Sequence, residues 1–127
     1  MKNGAKVLIV DDDPDFVEFA RIVLENEGHA VVSAGGGGEA LDKIAKDTPD
    51  LIVLDVMMDS ILDGLSVAQE LGERPDYRSV PIIMVTSIAN TDYAELFPTD
   101  EYIHLDSFHT KPIQPKRLVE EVNRLLR

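Results

Sequence analysis

The chain has 127 residues, 44% hydrophobic and 28% charged, which suits one domain with a substantial core. Its 12 Lys and Arg against 24 Asp and Glu give a net charge of -12, which argues against direct binding to nucleic acid or to anionic membrane surfaces. This charge suits a cationic partner or a divalent metal ion. Because cysteine is absent, disulfides and thiolate zinc sites are excluded.

Neither a membrane span nor a signal peptide is predicted. No apolar stretch approaches the roughly 20 residues that a span requires. The first residues, Met1 to Gly4, lack the apolar core of a signal peptide. We therefore expect a cytoplasmic protein, with a single domain over residues 1–127 and no output domain in this chain.

Three runs of four apolar residues are typical of strands buried on both faces, and hence of parallel strands covered by helices. They are Val7–Val10, Leu51–Leu54 and Ile82–Val85. Two further strands are predicted at Ala30–Ala34 and Ser107–Thr110.

Helical patterns lie between these strands. Asp13 is predicted to cap the first helix, Pro14 to begin it and Gly28 to close it. The other predicted helices are Glu39 to about Lys46, Gly64 to about Glu73, a short one within Ala89–Leu96, and a last one that starts at Gln114–Pro115 and carries an apolar stripe up to Leu126. This alternation predicts an α/β fold with a doubly wound parallel sheet.

Polar residues follow the three apolar runs. Asp11 and Asp12 come after the first, Asp55 after the second and Thr86 after the third. The carboxyl ends of parallel strands form the ligand crevice of such sheets, so these residues are expected at one edge. Neighbouring carboxylates repel each other unless a cation lies between them, and a ligand set made only of oxygens points to Mg²⁺.

A carboxylate beside Mg²⁺ can attack phosphorus and become an aspartyl phosphate. Such phosphoryl transfer requires groups that stabilise charge on the phosphoryl oxygens. Lys111, just after the fifth strand, and Thr86 are candidates for this role.

The motifs VLIVDDDPD, LIVLDVMMD, MVTS and FHTKP occur in this order along the whole chain. With them the chain resembles a response-regulator receiver domain of two-component signalling, in the CheY-like family. The resemblance implies a flavodoxin-like (β/α)5 fold with five strands in the order 2-1-3-4-5. The weak pattern after Thr86 predicts that its fourth helix is short or irregular.

The resemblance also implies roles for the acidic residues. Asp55 is similar to the phosphoacceptor of the family. Asp12 resembles its direct metal ligand, with Asp11 close by and acting through water. Met57 would offer its backbone carbonyl to the same Mg²⁺.

The other site residues follow from the same resemblance. Thr86 and Lys111 would bind the phosphoryl oxygens, and Thr86 would also act as a switch residue together with the aromatic Phe108. The Lys111–Pro112 peptide is a candidate for the cis form.

The expected function is that of a phosphoacceptor switch and not of a turnover enzyme. A histidine kinase or phosphotransfer protein would phosphorylate Asp55 with Mg²⁺ present, and the resulting population shift would change binding to a downstream protein. Beyond self-phosphorylation from small donors, we expect only slow autodephosphorylation, because the flanking residues Met57 and Ile88 are apolar and discourage an attacking water.

Two segments depart from the family pattern. Asp59 stands where proline is common, and Gly64 comes one residue late, so the loop Met57–Asp63 is longer. The segment Ile88–Asp106 lacks the usual Ala/Leu-rich fourth helix.

Three alternatives are left, and the unusual segment Ile88–Asp106 motivates the first of them. The first is an interaction module that keeps the fold but signals without phosphate. The second is a phosphatase with an aspartyl-phosphate intermediate, although Met57 stands where its second aspartate would be. The third is a flavodoxin-like FMN binder, although the loop after the first strand is acidic.

Two other sequence features are given no role in the site. Gly35–Gly38 is interpreted as a flexible connector, and His29, His104 and His109 as neither catalytic residues nor ligands.

Overall fold

The structure is a computed structural model that describes residues 4–55, 70, 71, 73–75, 77, 79–86, 107–110 and 113–126. Within these residues the strands are β1 (Lys6–Val10), β2 (Ala30–Ala34), β3 (Leu51–Leu54), β4 (Ile82–Thr86) and β5 (Ser107–Thr110). The helices with defined bounds are α1 (Pro14–Asn26), α2 (Gly37–Lys46) and the last helix (Pro115–Leu126).

The strands form one parallel sheet in the order β2-β1-β3-β4-β5. β1 pairs with β2 on one side and with β3 on the other, so that Val10 lies between Ala34 and Leu54. This topology confirms the predicted doubly wound α/β fold. It also makes the ends of β1 and β3 direct neighbours.

Val7–Val10 of β1, all of β3 and Ile82–Val85 of β4 are buried, so these strands are covered on both faces, which explains why their sequences do not alternate. Successive residues of β1 enter different core clusters, with Val7 and Ile9 on one face and Leu8 and Val10 on the other. The first face packs against α1 and the last helix, the second against α2.

The ends of α1 follow the sequence prediction. Asp13 is the N-cap, its side chain accepts a hydrogen bond from the backbone N–H of Asp15, and Pro14 is the first helical residue. After the helix, Gly28 has a φ of 91°, a left-handed conformation that favours glycine. The N–H of Gly28 donates to the carbonyl of Glu25 at 2.9 Å and closes the helix.

The start of α2 differs from the prediction. The helix begins at Gly37 instead of Glu39, so the interpretation of Gly35–Gly38 as a connector is wrong for its last two residues. Glu39 provides the physical reason, because its carboxylate accepts the Gly35 N–H at 2.9 Å and stabilises the turn that enters the helix. This bond and the nearby Lys43 ammonium lower the pKa of Glu39.

Further predictions concern residues between Asp55 and Ser107, of which the structure describes only some. Glu70, Leu71 and Glu73 are helical and match the end of the predicted third helix. The loop Met57–Asp63 and the segment Ile88–Asp106 lie outside the described residues. In the described part of the chain, no helix combines the length and apolarity that crossing a membrane would require.

Candidate functional site

The sheet places Asp11 and Asp55 side by side. Val10 and Leu54 are paired at the ends of β1 and β3, and Asp11 and Asp55 follow them directly. The N–H of Asp55 donates to the carbonyl of Val10 at 2.9 Å, which continues the β1–β3 pairing to the edge. On the other side, the N–H of Asp11 donates to the Ala34 carbonyl at 3.0 Å. Backbone hydrogen bonds therefore fix the positions of both aspartates.

The carboxylates of Asp11, Asp12 and Asp55 form an acidic cluster. Each offers an oxygen, and these three oxygens lie within 4.8 Å of one another. Asp11 is 3% exposed and Asp55 4%, whereas Asp12 is exposed. The cluster therefore has a buried floor of two carboxylates and a third that faces solvent.

The loop between β1 and α1 is held by two successive turns. The N–H of Asp13 donates to Oδ1 of Asp11 at 2.9 Å, and the N–H of Asp15 donates to Oδ1 of Asp13 at 3.0 Å. In each turn an aspartate oxygen binds the N–H two residues later, a common aspartate turn. The sequence predicts Asp13 as the N-cap of α1, which the second turn confirms, but not the turn at Asp11. The signal for the first was present in the spacing of Asp11, Asp13 and Asp15.

The donor chemistry of the cluster fits a metal ion. Three carboxylates at this distance repel one another, and partial burial strengthens that repulsion. A divalent cation between them would replace the repulsion with attraction, and carboxylate oxygens are the ligands that hard divalent cations prefer. The cluster could therefore hold a metal ion.

The remaining predicted site residues are described only in part. Thr86 is the last residue of β4 and pairs with Thr110 of β5, so its backbone lies at the carboxyl end of the sheet. Phe108 pairs with Met84 in the middle of β5. Lys111, which follows β5 directly, and Met57 lie outside the described residues, and so does the Lys111–Pro112 peptide.

A buried contact between the last helix and β5 was not predicted. Glu121, on the last helix, is 7% exposed, and its Oε1 lies 3.3 Å from Nε2 of His109 on β5. Nη2 and Nε of Arg124 donate to the same carboxylate at 3.0 and 3.1 Å. Glu121 thus links the last helix to β5. A glutamate among the charged residues of an amphipathic helix carries no sequence signal for such a contact.

Comparison with known proteins matches the chain to a protein family. The response regulator receiver domain family matches residues 7–123. The chain is 35% identical over 122 residues to the alkaline phosphatase synthesis transcriptional regulatory protein PhoP of Bacillus subtilis, covering 96% of this chain and 48% of that protein. It is 38% identical to the DNA-binding response regulator MtrA of Mycolicibacterium smegmatis, covering 96% of this chain and 50% of MtrA. The chain therefore spans about half the length of these relatives.

A solved structure agrees with these matches. The signal receiver domain of a signal transduction histidine kinase from Syntrophus aciditrophicus is 32% identical, with a TM-score of 0.84 over 96% of this chain and 89% of that one. The similarity extends over nearly the whole length of both chains.

Proposed function

The chain belongs to the response regulator receiver domain family, and we propose that Asp55 is the residue that accepts a phosphoryl group. Receiver domains are signalling switches and not turnover enzymes. The observation that carries the proposal is the acidic cluster, in which Asp55 lies with Asp11 and Asp12 at the carboxyl end of the sheet.

The proposed metal is Mg²⁺, held by Asp11, Asp12 and Asp55, with the backbone carbonyl of Met57 as a further ligand. Mg²⁺ takes one or two carboxylates and keeps several waters, which suits a cluster with one solvent-facing carboxylate. When bound, Mg²⁺ neutralises negative charge on the carboxylates and on the phosphoryl oxygens. Asp12 is proposed as the direct ligand and Asp11 as a ligand through water.

In the proposed transfer, one carboxylate oxygen of Asp55 attacks phosphorus. The bond from phosphorus to the donor's imidazole nitrogen breaks, and that nitrogen keeps the electron pair. The donor is a histidine kinase or a phosphotransfer protein, and Lys111 and the Thr86 hydroxyl bind the phosphoryl oxygens. Because Asp55 is fixed to Val10 by its own N–H, the attacking carboxylate extends from a rigid part of the sheet.

The proposed output is a population shift. Thr86 would move toward the phosphoryl group, Phe108 would occupy the space that it leaves, and the surface near β5 would change for a downstream protein. Thr86 ends β4 and Phe108 lies in the adjacent β5, so the two belong to paired strands. The relatives PhoP and MtrA bear the names of a transcriptional and a DNA-binding regulator; we propose a protein as the direct partner of this domain, because its net charge is -12.

Labelling with acetyl phosphate tests the proposal. With Mg²⁺ present, mass spectrometry of the intact protein should show one added phosphoryl group, and peptide mapping should place it on Asp55. Asp55→Ala should abolish the label. Asp42→Asn is the matched control, because it removes an exposed carboxylate on α2 outside the cluster and should leave labelling unchanged. Labelling that persists in Asp55→Ala contradicts the assignment.

Beryllofluoride distinguishes the switch from a module that signals without phosphate. The switch should bind beryllofluoride only when Mg²⁺ is present, as followed by ¹⁹F NMR, and Asp12→Asn should weaken this binding. A protein that binds its partner equally well with and without beryllofluoride would favour the phosphate-independent module.

A further inference from the structure

β2 is an edge strand, because it stands first in the sheet order. The Ala30 N–H donates to the Ala5 carbonyl at 2.9 Å, and the Asp11 N–H donates to the Ala34 carbonyl at 3.0 Å, so both ends of β2 bond toward β1. Successive peptide groups of a strand point to alternate sides. The carbonyls of Val31 and Ser33 therefore point away from the sheet, where an edge strand can pair with another chain.

Both outward carbonyls accept hydrogen bonds from cations. Nη1 of Arg21, on α1, donates to the Val31 carbonyl at 3.5 Å. Nζ of Lys43, on α2, donates to the Ser33 carbonyl. Because α1 and α2 pack on opposite faces of the sheet, the two cations reach the edge from both sides.

Each cation is held in place by a carboxylate of the preceding helical turn. Oε2 of Glu18 lies 3.8 Å from Nε of Arg21, and Oε2 of Glu39 lies 3.1 Å from Nζ of Lys43. Oε1 of Glu39 also accepts the Gly35 N–H just after β2. The contacts at the edge are thus parts of two small networks, one on each face.

We propose that Arg21 and Lys43 guard the β2 edge against pairing with β2 of a second copy of this chain. The strand itself is suited to self-pairing, because its sequence AVVSA contains neither proline nor a charge and Val32 is 39% exposed. Proteins commonly use proline or charge within an edge strand to prevent such pairing. Here the protecting charges come from the two neighbouring helices instead.

The geometry of the excluded pair follows from the alternation. In an antiparallel pair with two-fold symmetry about Val32, Val31 would exchange hydrogen bonds with Ser33 of the second copy. The two Val32 residues would form a non-hydrogen-bonded pair, with Cα atoms about 4.5 Å apart. Such pairing uses the carbonyls of Val31 and Ser33, so the second strand competes with both cations for the same acceptors.

The test compares two double variants of equal net charge. R21M/K43M removes both donors and keeps unbranched side chains that favour helix. K116M/R117M removes two exposed cations from the last helix instead. Because the chain has no cysteine, Val32→Cys adds a single reporter thiol to each background and to the otherwise unchanged chain. The Cα separation of the excluded pair suits a disulfide.

We expect R21M/K43M to form dimers with increasing concentration in sedimentation equilibrium and to cross-link through Cys at position 32 at least several-fold faster than the other two backgrounds. R21K/K43R, which keeps both cations, should cross-link at the rate of the unchanged chain. A monomeric R21M/K43M with an unchanged cross-linking rate overturns the proposal, and so does equal association of K116M/R117M. Circular dichroism checks that each variant keeps the fold. If the double variant unfolds, the single variants R21M and K43M should each accelerate cross-linking. No acceleration in either single variant overturns the proposal.

Discussion

The backbone N–H of Asp13 donates a hydrogen bond to Oδ1 of Asp11 at 2.9 Å, and so connects the cap of α1 to the acidic cluster. The Asp13 side chain in turn accepts the Asp15 N–H, and its carbonyl accepts the Val17 N–H at 3.1 Å. The loop that carries Asp12 is therefore fixed at both ends, by a buried strand and by a helix.

Asp13→Ala should lower the free energy of unfolding by about 1 kcal/mol, because it removes the N-cap of α1. Asp13→Asn and Asp13→Ser should stay close to the unchanged chain, because both residues cap helices well. Urea denaturation followed by circular dichroism measures the difference. If the Asn variant lost as much stability as the Ala variant, the negative charge and not the cap would be the cause.

Mg²⁺ should raise the melting temperature at constant ionic strength, because a ligand that binds only the folded state stabilises it. At a Mg²⁺ concentration one hundred times the Kd, the free energy of unfolding rises by about 2.7 kcal/mol. Thermal unfolding in Mg²⁺ and in EDTA measures the shift in melting temperature. Asp12→Asn should reduce this shift, while Asp42→Asn should leave it unchanged. An equal gain from a sodium salt at the same ionic strength would exclude a specific site.

Glu121→Ala should lower the free energy of unfolding by about 1–3 kcal/mol. The buried carboxylate contacts both His109 and Arg124, and the substitution removes this partner from both side chains. Arg124→Ala should cost less than about 1 kcal/mol, since the Arg124 side chain is 52% exposed. Urea denaturation of the two variants gives the comparison. Equal losses would show that the ion pair itself, and not the buried carboxylate, stabilises this contact.

Glu39 should make stability depend on pH. The Gly35 N–H and then Lys43 lower its pKa in the folded state, so its stabilising effect is present above the pKa of the unfolded chain. The effect should disappear as the pH falls through the folded-state pKa of Glu39. The difference in melting temperature between the unchanged chain and Glu39→Gln, measured from neutral to acidic pH, should shrink accordingly. A difference that grows toward acidic pH would contradict this contribution.

The local sequence was sufficient for most of the fold. The apolar runs of β1, β3 and β4 predicted strands covered on both faces, and Asp13 with Pro14 predicted the start of α1. These features depend on residues that are neighbours in the chain. The sequence predicts a later start for α2, at Glu39, because glycines have low helix propensity, whereas in the structure the Glu39 carboxylate stabilises the turn from within the helix.

The residues that follow the apolar runs can be identified from the chain alone, and they predict that Asp11, Asp12 and Asp55 share one edge of the sheet. The burial of Asp11 and Asp55 and the exposure of Asp12 depend on how the elements pack together. Packing also brings Arg21 and Lys43 to the outer carbonyls of β2, and Glu121 to His109. Strand patterns are visible in the sequence because burial repeats along the chain. Each of these contacts joins residues on different elements, so the distance between them is set only when helices pack on the sheet.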